Sequence, residues 1–495
     1  MNALLRLRPL LTAGLTLAVV VAGGVLAHGQ VTSAPPPPAT TTEPVQSSVL
    51  LCPEPGANAE LGVRVTAAVV PDQPGQDVPG RAVLQTLPGA QSAREVITDA
   101  GGQAQIDAFG EKLPPIRVTG TGGLAPGLVA DQWGRDPRGT GRGMASTACA
   151  PAASQFWFVG GGAVVGRRTR IVLVNPDENA AVVDLEVFGP EGLLDTPGGR
   201  GLVIPAQARA IVQLDSLAPG VRSTAVHVNV RTGRVGASVA DDQMSGLDAV
   251  GTDWLPSAAA PATTVYVPGL NPGPGGRVLS ILVPGDQDAN VRIQIMTASG
   301  VFAPAERDTV QVPAGTVISL DMAPVTDAQP ATLMLTSDQP IAAGLRQFYG
   351  SKDEQNETSY SAGSAPFTGT AAVSGLPVRQ ATEVRLAITA VDADASVSIR
   401  LLPYSAGNGS GELTAAKTVQ VKAGNVAWVP LTPPAGTQWY TAVVSTDEGS
   451  APVLVAHRVL EASDYGDLVT GYPWTAMRTE VQVPQAEQDP GVTVR

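Results

Sequence analysis

An all-β chain of tandem antiparallel sandwiches is what this sequence predicts, and three observations predict it. A short apolar strand ending in proline or glycine recurs at nearly constant spacing along 495 residues. Between recurrences, apolar and polar residues alternate with a period of two, the pattern of half-buried strands. The composition favours turns over helices, with 55 glycines, 43 prolines and 15% charged residues.

Taken in chain order, the first element is an export signal. Arg6 and Arg8 precede an apolar run from Leu10 to Ala27, with small residues at Val25 and Ala27. The run fits a retained transmembrane anchor and also a cleaved signal peptide within residues 1–30. Both readings place the rest of the chain outside the cytoplasm. Residues 31–48 contain four consecutive prolines. They are expected to form a stiff polyproline spacer without a core.

The repeat begins with VLLCPE (49–54). It returns as FWFVGG (156–161), VYVPGL (265–270), AAVSGL (371–376) and VQVPQA (481–486). The register positions are Pro53, Gly160, Pro268, Ser374 and Pro484, so the intervals are 107, 108, 106 and 110 residues. Periodicity of this kind takes precedence over local readings. It divides the chain into modules at 49–155, 156–264, 265–370 and 371–480, with a terminal strand and tail at 481–495.

Inside each module the strands recur in order. RIVLVNP (170–176), RVLSILVPG (277–285) and VRLAITAVD (384–392) are equivalent. So are AVVDLEVFGPEG (181–192), NVRIQIMTASG (290–300) and SVSIRLLPYSAG (396–407). LVIPAQARAIVQLD (202–215), VQVPAGTVISLD (310–321) and VQVKAGNVAWVPL (419–431) read as hairpins about a Pro-Ala-Gly type turn. The last set is VGASVADD (235–242), IAAGLRQF (341–348) and VLVAHRVL (453–460). Its small residues, including Gly344 and Ala456, predict close backbone approach. The first module is the most diverged. About seven strands per module predict an immunoglobulin-like sandwich, repeated four times in series. A closed, propeller-like ring is the alternative.

QFWFVGGG, LVNP, VPAG with LD, SDQPIAAGLR and APATTVYVP together resemble the tandem modules of bacterial surface proteins. At whole-chain level the sequence resembles a family of actinobacterial secreted proteins of unknown function, over about residues 49–486. The resemblance implies no catalytic residue and no cofactor. It implies an accessory role beside enzymes of envelope polysaccharide synthesis.

Charge and cysteine content narrow the function. A net charge of −13 disfavours nucleic acid and anionic lipid as partners. Twenty-seven of the 31 basic residues are arginine, a bias that fits a GC-rich genome. Cys52 and Cys149 are the only cysteines, and in an exported chain they are expected to form a disulfide closing the first module. His28, His227 and His457 are too scattered for a triad or metal site, and the last two read as surface or edge positions. No nucleophile elbow or phosphate loop is present.

Acidic stretches close the modules. Asp241, Asp242, Asp248 and Asp253 end the second, Asp353 and Glu354 the third, and Glu461, Asp464 and Asp467 the fourth. They read as solvated loops, with calcium binding or paired-carboxylate glycan hydrolysis as alternatives. Trp133, Trp254 and Trp474 stand near equivalent ends. They read as plugs on the sandwich cores or as platforms for sugar rings. Asp248, Trp254, Asp467 and Trp474 are therefore the candidate loop-binding residues. The expected function is a noncatalytic, monomeric, exported scaffold or binding protein of the cell envelope. Its expected partner is an envelope protein or glycan, with the cytoplasmic membrane contacted through residues 10–27 if these are retained. A glycan hydrolase and a calcium-stiffened adhesin are the competing expectations.

Overall fold

A computed structural model describes residues 40–53, 62–87, 94–108, 114–326, 329–350, 356–405 and 411–484. The export segment, the four prolines, Asp353 and Glu354 lie outside these residues. Among the described residues no helix is long and apolar enough to cross a membrane. The described residues are all-β, in separate sheets with no closed barrel among them.

It divides into two compact units. In the smaller, strand Thr40–Pro44 pairs with strand Glu480–Pro484. This corrects the spacer expected through residue 48, because the TTTEP segment is strand and finds its partner in the terminal VQVP repeat. The terminal copy therefore neither completes the last module nor stands alone.

In the larger unit the sheets come in pairs. Strands 47–151 make one sheet around Ser47–Cys52, Ile116–Gly122 and Gly80–Thr86. They make a second in the order Gln103–Ala108, Gly62–Val69, Leu128–Asp136, Gly143–Ala148. Strands 155–255 give a sheet around Gln155–Gly161, Thr224–Thr232 and Ala181–Gly189, and another in the order Arg209–Gln213, Arg167–Val174, Gly236–Ser245, Asp248–Leu255. Strands 370–470 repeat the plan. One of their sheets is built around Thr370–Pro377, Trp439–Thr446 and Ala395–Tyr404. The other runs in the order Val426–Pro430, Thr382–Ala390, Val453–Glu461, Leu468–Thr470. Between the second and last of these sets, strands 262–362 share one 19-residue strand, Ala331–Tyr349, which passes from one sheet into the other.

Three local readings need correction. The Pro-Ala-Gly turns are not hairpins: the strands on either side belong to different sheets. Leu202–Ile204 pairs with Ala181–Gly189, whereas Arg209–Gln213 pairs with Arg167–Val174. The turn carries the chain across the sandwich, as it does at 309–321 and 417–430. The acidic stretches of the second and fourth modules lie within or between strands, and these two sets have nine and eight strands, not seven. Lastly, the recurring VGG, VPG and VSG mark a β-bulge. The register shifts between Val159 and Gly161, Val267 and Leu270, and Val373 and Leu376. Gly160, Gly269 and Gly375 take positive φ there, which an extra unpaired residue in a bulge requires.

Alternation fills each sandwich and also the seams between them. Ile171 and Leu173 point into the core of their own sheet pair, with Val183, Leu185 and Val228. Val172 and Val174, on the opposite face, pack on Leu51, Leu87 and Ala145 of the preceding set. The next seam joins Val159, Phe188 and Ala225 to Leu282, Val317 and Ala342. A third joins Tyr266 and Met296 to Ala387, Val426 and Leu454. A fourth joins Ala372, Leu402 and Val443 back to Ala68, Val70 and Val129. The last seam closes the sequence on itself. Within the larger unit the arrangement in series thus gives way to a closed cycle of seams, the ring that the sequence left as its alternative, because each sheet pair has apolar outer faces that a neighbour covers.

Candidate functional site

Polar chemistry gathers at several places, among them the centre of the ring and the seam that closes it. At the centre, strands Gly143–Ala148, Asp248–Leu255, Glu357–Ala362 and Leu468–Thr470 pack on one another. Glu357 is fully buried. Its Oε1 accepts the backbone N–H of Thr252 at 3.3 Å and of Thr358 at 3.0 Å, and its Oε2 accepts that of Met144 at 3.1 Å. Arg142 donates through Nη1 to the Asn356 carbonyl at 3.0 Å and through Nη2 to the Asp467 carbonyl at 2.9 Å. Asp253 Oδ1 accepts from Ser146 N–H at 3.0 Å, Trp254 N–H at 2.9 Å and the Thr470 hydroxyl at 3.0 Å. Among the described residues its Oδ2 has no hydrogen-bond partner.

Burial dominates the titration of both acids. It pushes the Glu357 carboxyl up to about 8, against the Thr358 N–H and the Arg142 charge, which favour the anion. Burial also raises Asp253 well above the usual carboxylate range, and nearby Glu357 adds to the rise. Neither side chain lines a described cleft. Their chemistry is to hold four stretches of chain together.

The closing seam does open to solvent. A cleft of about 260 Å³ lies between Arg64, Asp107 and Arg135 on one side and Pro377, Val378 and Arg379 on the other. Its inner wall includes Trp133, Trp439 and Met144. The bulge at Val373 to Leu376 sets this wall: Trp133 Nε1 donates to the Ser374 carbonyl at 2.9 Å. Trp439 Nε1 donates to Gln105 Oε1 at 2.7 Å, and its ring stacks on Tyr404 at 4.4 Å. Arg135 Nε reaches both oxygens of Glu461, at 2.8 and 3.1 Å, and Arg379 Nη1 reaches Oε2 at 3.2 Å. Arg64 Nε donates to Asp107 Oδ1 at 2.7 Å. Burial holds the Arg379 guanidinium below its ordinary value; Glu461 opposes this, while Arg135 and Arg64 reinforce it. A second recess, between Leu87, Pro115 and Ala206, is broader and carries Glu178 and Arg209.

The sequence-predicted residues do not come together. Asp248 is exposed at the start of strand Asp248–Leu255, and Asp467 is exposed just before strand Leu468–Thr470, in different strand sets. Trp254 is 3% exposed in the seam with Val172 and Leu51, and Trp474 is 3% exposed in the fourth core. Both are packing residues, which fits their reading as plugs and not the alternative of platforms. Asp241, Asp242 and Glu461 are buried strand residues held by Arg167, Arg168 and Arg135, which corrects their reading as solvated loops. The histidines are corrected likewise. His227 lies on a central strand, stacked on Trp157 at 3.9 Å, and its Nδ1 is 2.7 Å from Glu186. His457 is buried, with its Nδ1 accepting from Trp474 Nε1 at 2.9 Å. His28 lies outside the described residues. Cys52 and Cys149 form the expected disulfide. Among the described residues no group of three or more potential ligands is placed to hold a metal ion. Arg64, Arg135 and Arg379 escape a reading of the sequence; each stands alone in the chain, and only ring closure gathers them.

A family model described as DUF5719, a family of unknown function, matches residues 96–375, more than half of the chain. The chain belongs to the DUF5719 family. The match begins inside the first set of strands and ends at the bulge of the fourth, so the family region includes Arg135 and all of the second and third sets. No curated protein matches this DUF5719 chain. A solved structure titled Crystal Structure of Thermotoga maritima 1070 is similar at 17% identity, over 21% of this chain and 94% of that one, with a TM-score of 0.18. That likeness is too low to bear on fold or function.

Proposed function

We propose that this DUF5719 protein is a noncatalytic, exported binding protein of the cell envelope, acting beside polysaccharide assembly. In this reading four immunoglobulin-like sandwiches, copies of one ancestral module, form a rigid ring that presents its seam cleft to an envelope partner. The observation that carries it is where the polar groups are spent. Glu357, Asp253 and Arg142 are consumed in binding backbone from other strand sets. A solvent-reachable recess, by contrast, is lined by three guanidinium groups and one carboxylate, which suits recognition. The apolar run at 10–27 supports export. The disulfide supports an oxidising compartment.

The test is co-sedimentation of the purified chain, beginning at residue 31, with isolated envelope fractions. Retention in the wall or polysaccharide pellet is the expected result. A protein that stays in the supernatant with every fraction would remove the proposal.

A further inference from the structure

We infer that the cleft closing the ring binds a monosaccharide-sized ligand that carries one carboxylate or phosphate group. The inference rests on the binding reading above and assigns the ligand its chemistry.

Charge comes first. Three guanidinium groups, Arg64, Arg135 and Arg379, line the cleft with one carboxylate, Asp107, and a second carboxylate, Glu461, lies behind Arg135 and Arg379. One positive charge is left over, in a chain whose net charge is −13. A local surplus of this sign in a recess draws anions toward it. The three arginines also crowd one another, as the effect of Arg135 and Arg64 on Arg379 shows. An added anion relieves that crowding.

Geometry comes second. Glu461 is 5% exposed and lies behind Arg135, which grips both its oxygens. Arg379 gives Glu461 a single N–H and keeps 43% of its side chain open. A guanidinium has five N–H donors in a planar fork, so Arg379 can receive a carboxylate or phosphate from the solvent side through paired bonds. Exposed Val378 offers apolar surface to the ligand's ring, over a floor closed by the buried Trp133 and Met144. A volume of about 260 Å³ admits one such ring. Glucuronate and glucose 1-phosphate share this chemistry, and their separate titrations distinguish the two sources of charge.

The experiment is calorimetric titration of the exported chain with glucuronate, glucose 1-phosphate and glucose, with tryptophan fluorescence as a second readout. One or both acids bind, at least about tenfold more tightly than glucose. Arg379→Ala weakens that binding about tenfold or more, and Arg379→Lys, which keeps the charge but loses the fork, weakens it less. Glu461→Gln, which removes the competing carboxylate, tightens it. Arg379→Lys decides the matter if Arg379→Ala does not fold. Equal affinity for glucose, no binding of either acid, or indifference to both Arg379 variants overturns the inference. Envelope retention that survives those variants would leave the proposed function standing and remove this site from it.

Discussion

Glu357 and His457 titrate far from their ordinary values, in opposite directions. Glu357 is raised to about 8 by burial, so between the ordinary glutamate range and pH 8 the fold holds a proton that the unfolded chain has lost. Its contribution to stability is complete below the ordinary range and is lost as pH rises through 8. Glu357→Gln should flatten that decline; thermal unfolding at intervals from pH 5 to 9 measures it. His457 is lowered to about 3, again by burial, so it stays neutral where the unfolded chain takes up a proton. Its contribution is present above about 6.5 and is lost as pH falls toward 3. His457→Asn keeps an acceptor for the Trp474 indole and should make the acid limb shallower, read by denaturant titration at pH 4, 5 and 7. None of this is legible locally. Asp253 stands in AVGTDW, and its hydrogen-bond partners Ser146 and Thr470 lie over a hundred residues away on either side. A sequence window sees only an acid near glycine and reads a loop.

Strands and their turns are far more readable than side-chain fates. The equivalent strands at 167–174, 277–282 and 382–390 follow from two-residue alternation, which any core-facing sheet imposes. The Pro-Ala-Gly turns mislead because a hairpin and a crossing between stacked sheets need the same turn residues; only pairing partners separate them. The small residues of the last strand set do mark close approach. A Cβ on Gly344 would lie 2.0 Å from the Val159 carbonyl oxygen in the neighbouring strand set. Gly344→Ala should cost about 1–3 kcal/mol, with the second seam opened, as measured by urea unfolding. The Cys52–Cys149 bond spans 97 residues of sequence. Replacing both cysteines by serine should lower stability by roughly 4 to 5 kcal/mol on the chain-entropy account, measurable by the same titration under oxidising conditions.

Across the larger unit, each sheet pair shares its outer faces with two neighbours, so no pair keeps all its apolar surface covered once a seam opens. Open repeat arrays fray from their ends; a closed one has none. Scanning calorimetry should show a single transition for residues 44–480, with calorimetric and van't Hoff enthalpies equal. Stepwise melting of separate sandwiches would contradict the closed seams. The fourth seam, Ala372 and Val443 on Ala68 and Val129, cannot be read from the repeat spacing, which is the same for a line and a circle. The backbone N–H of Val45 donates to the Thr479 carbonyl at 3.0 Å, so entry and exit are side by side. The order of synthesis is then arbitrary with respect to the finished circle. A circular permutant that bridges 45 and 479 with a short linker and starts instead at Pro256, between strands Asp248–Leu255 and Ala262–Leu270, should assemble the same four cores from a different first residue.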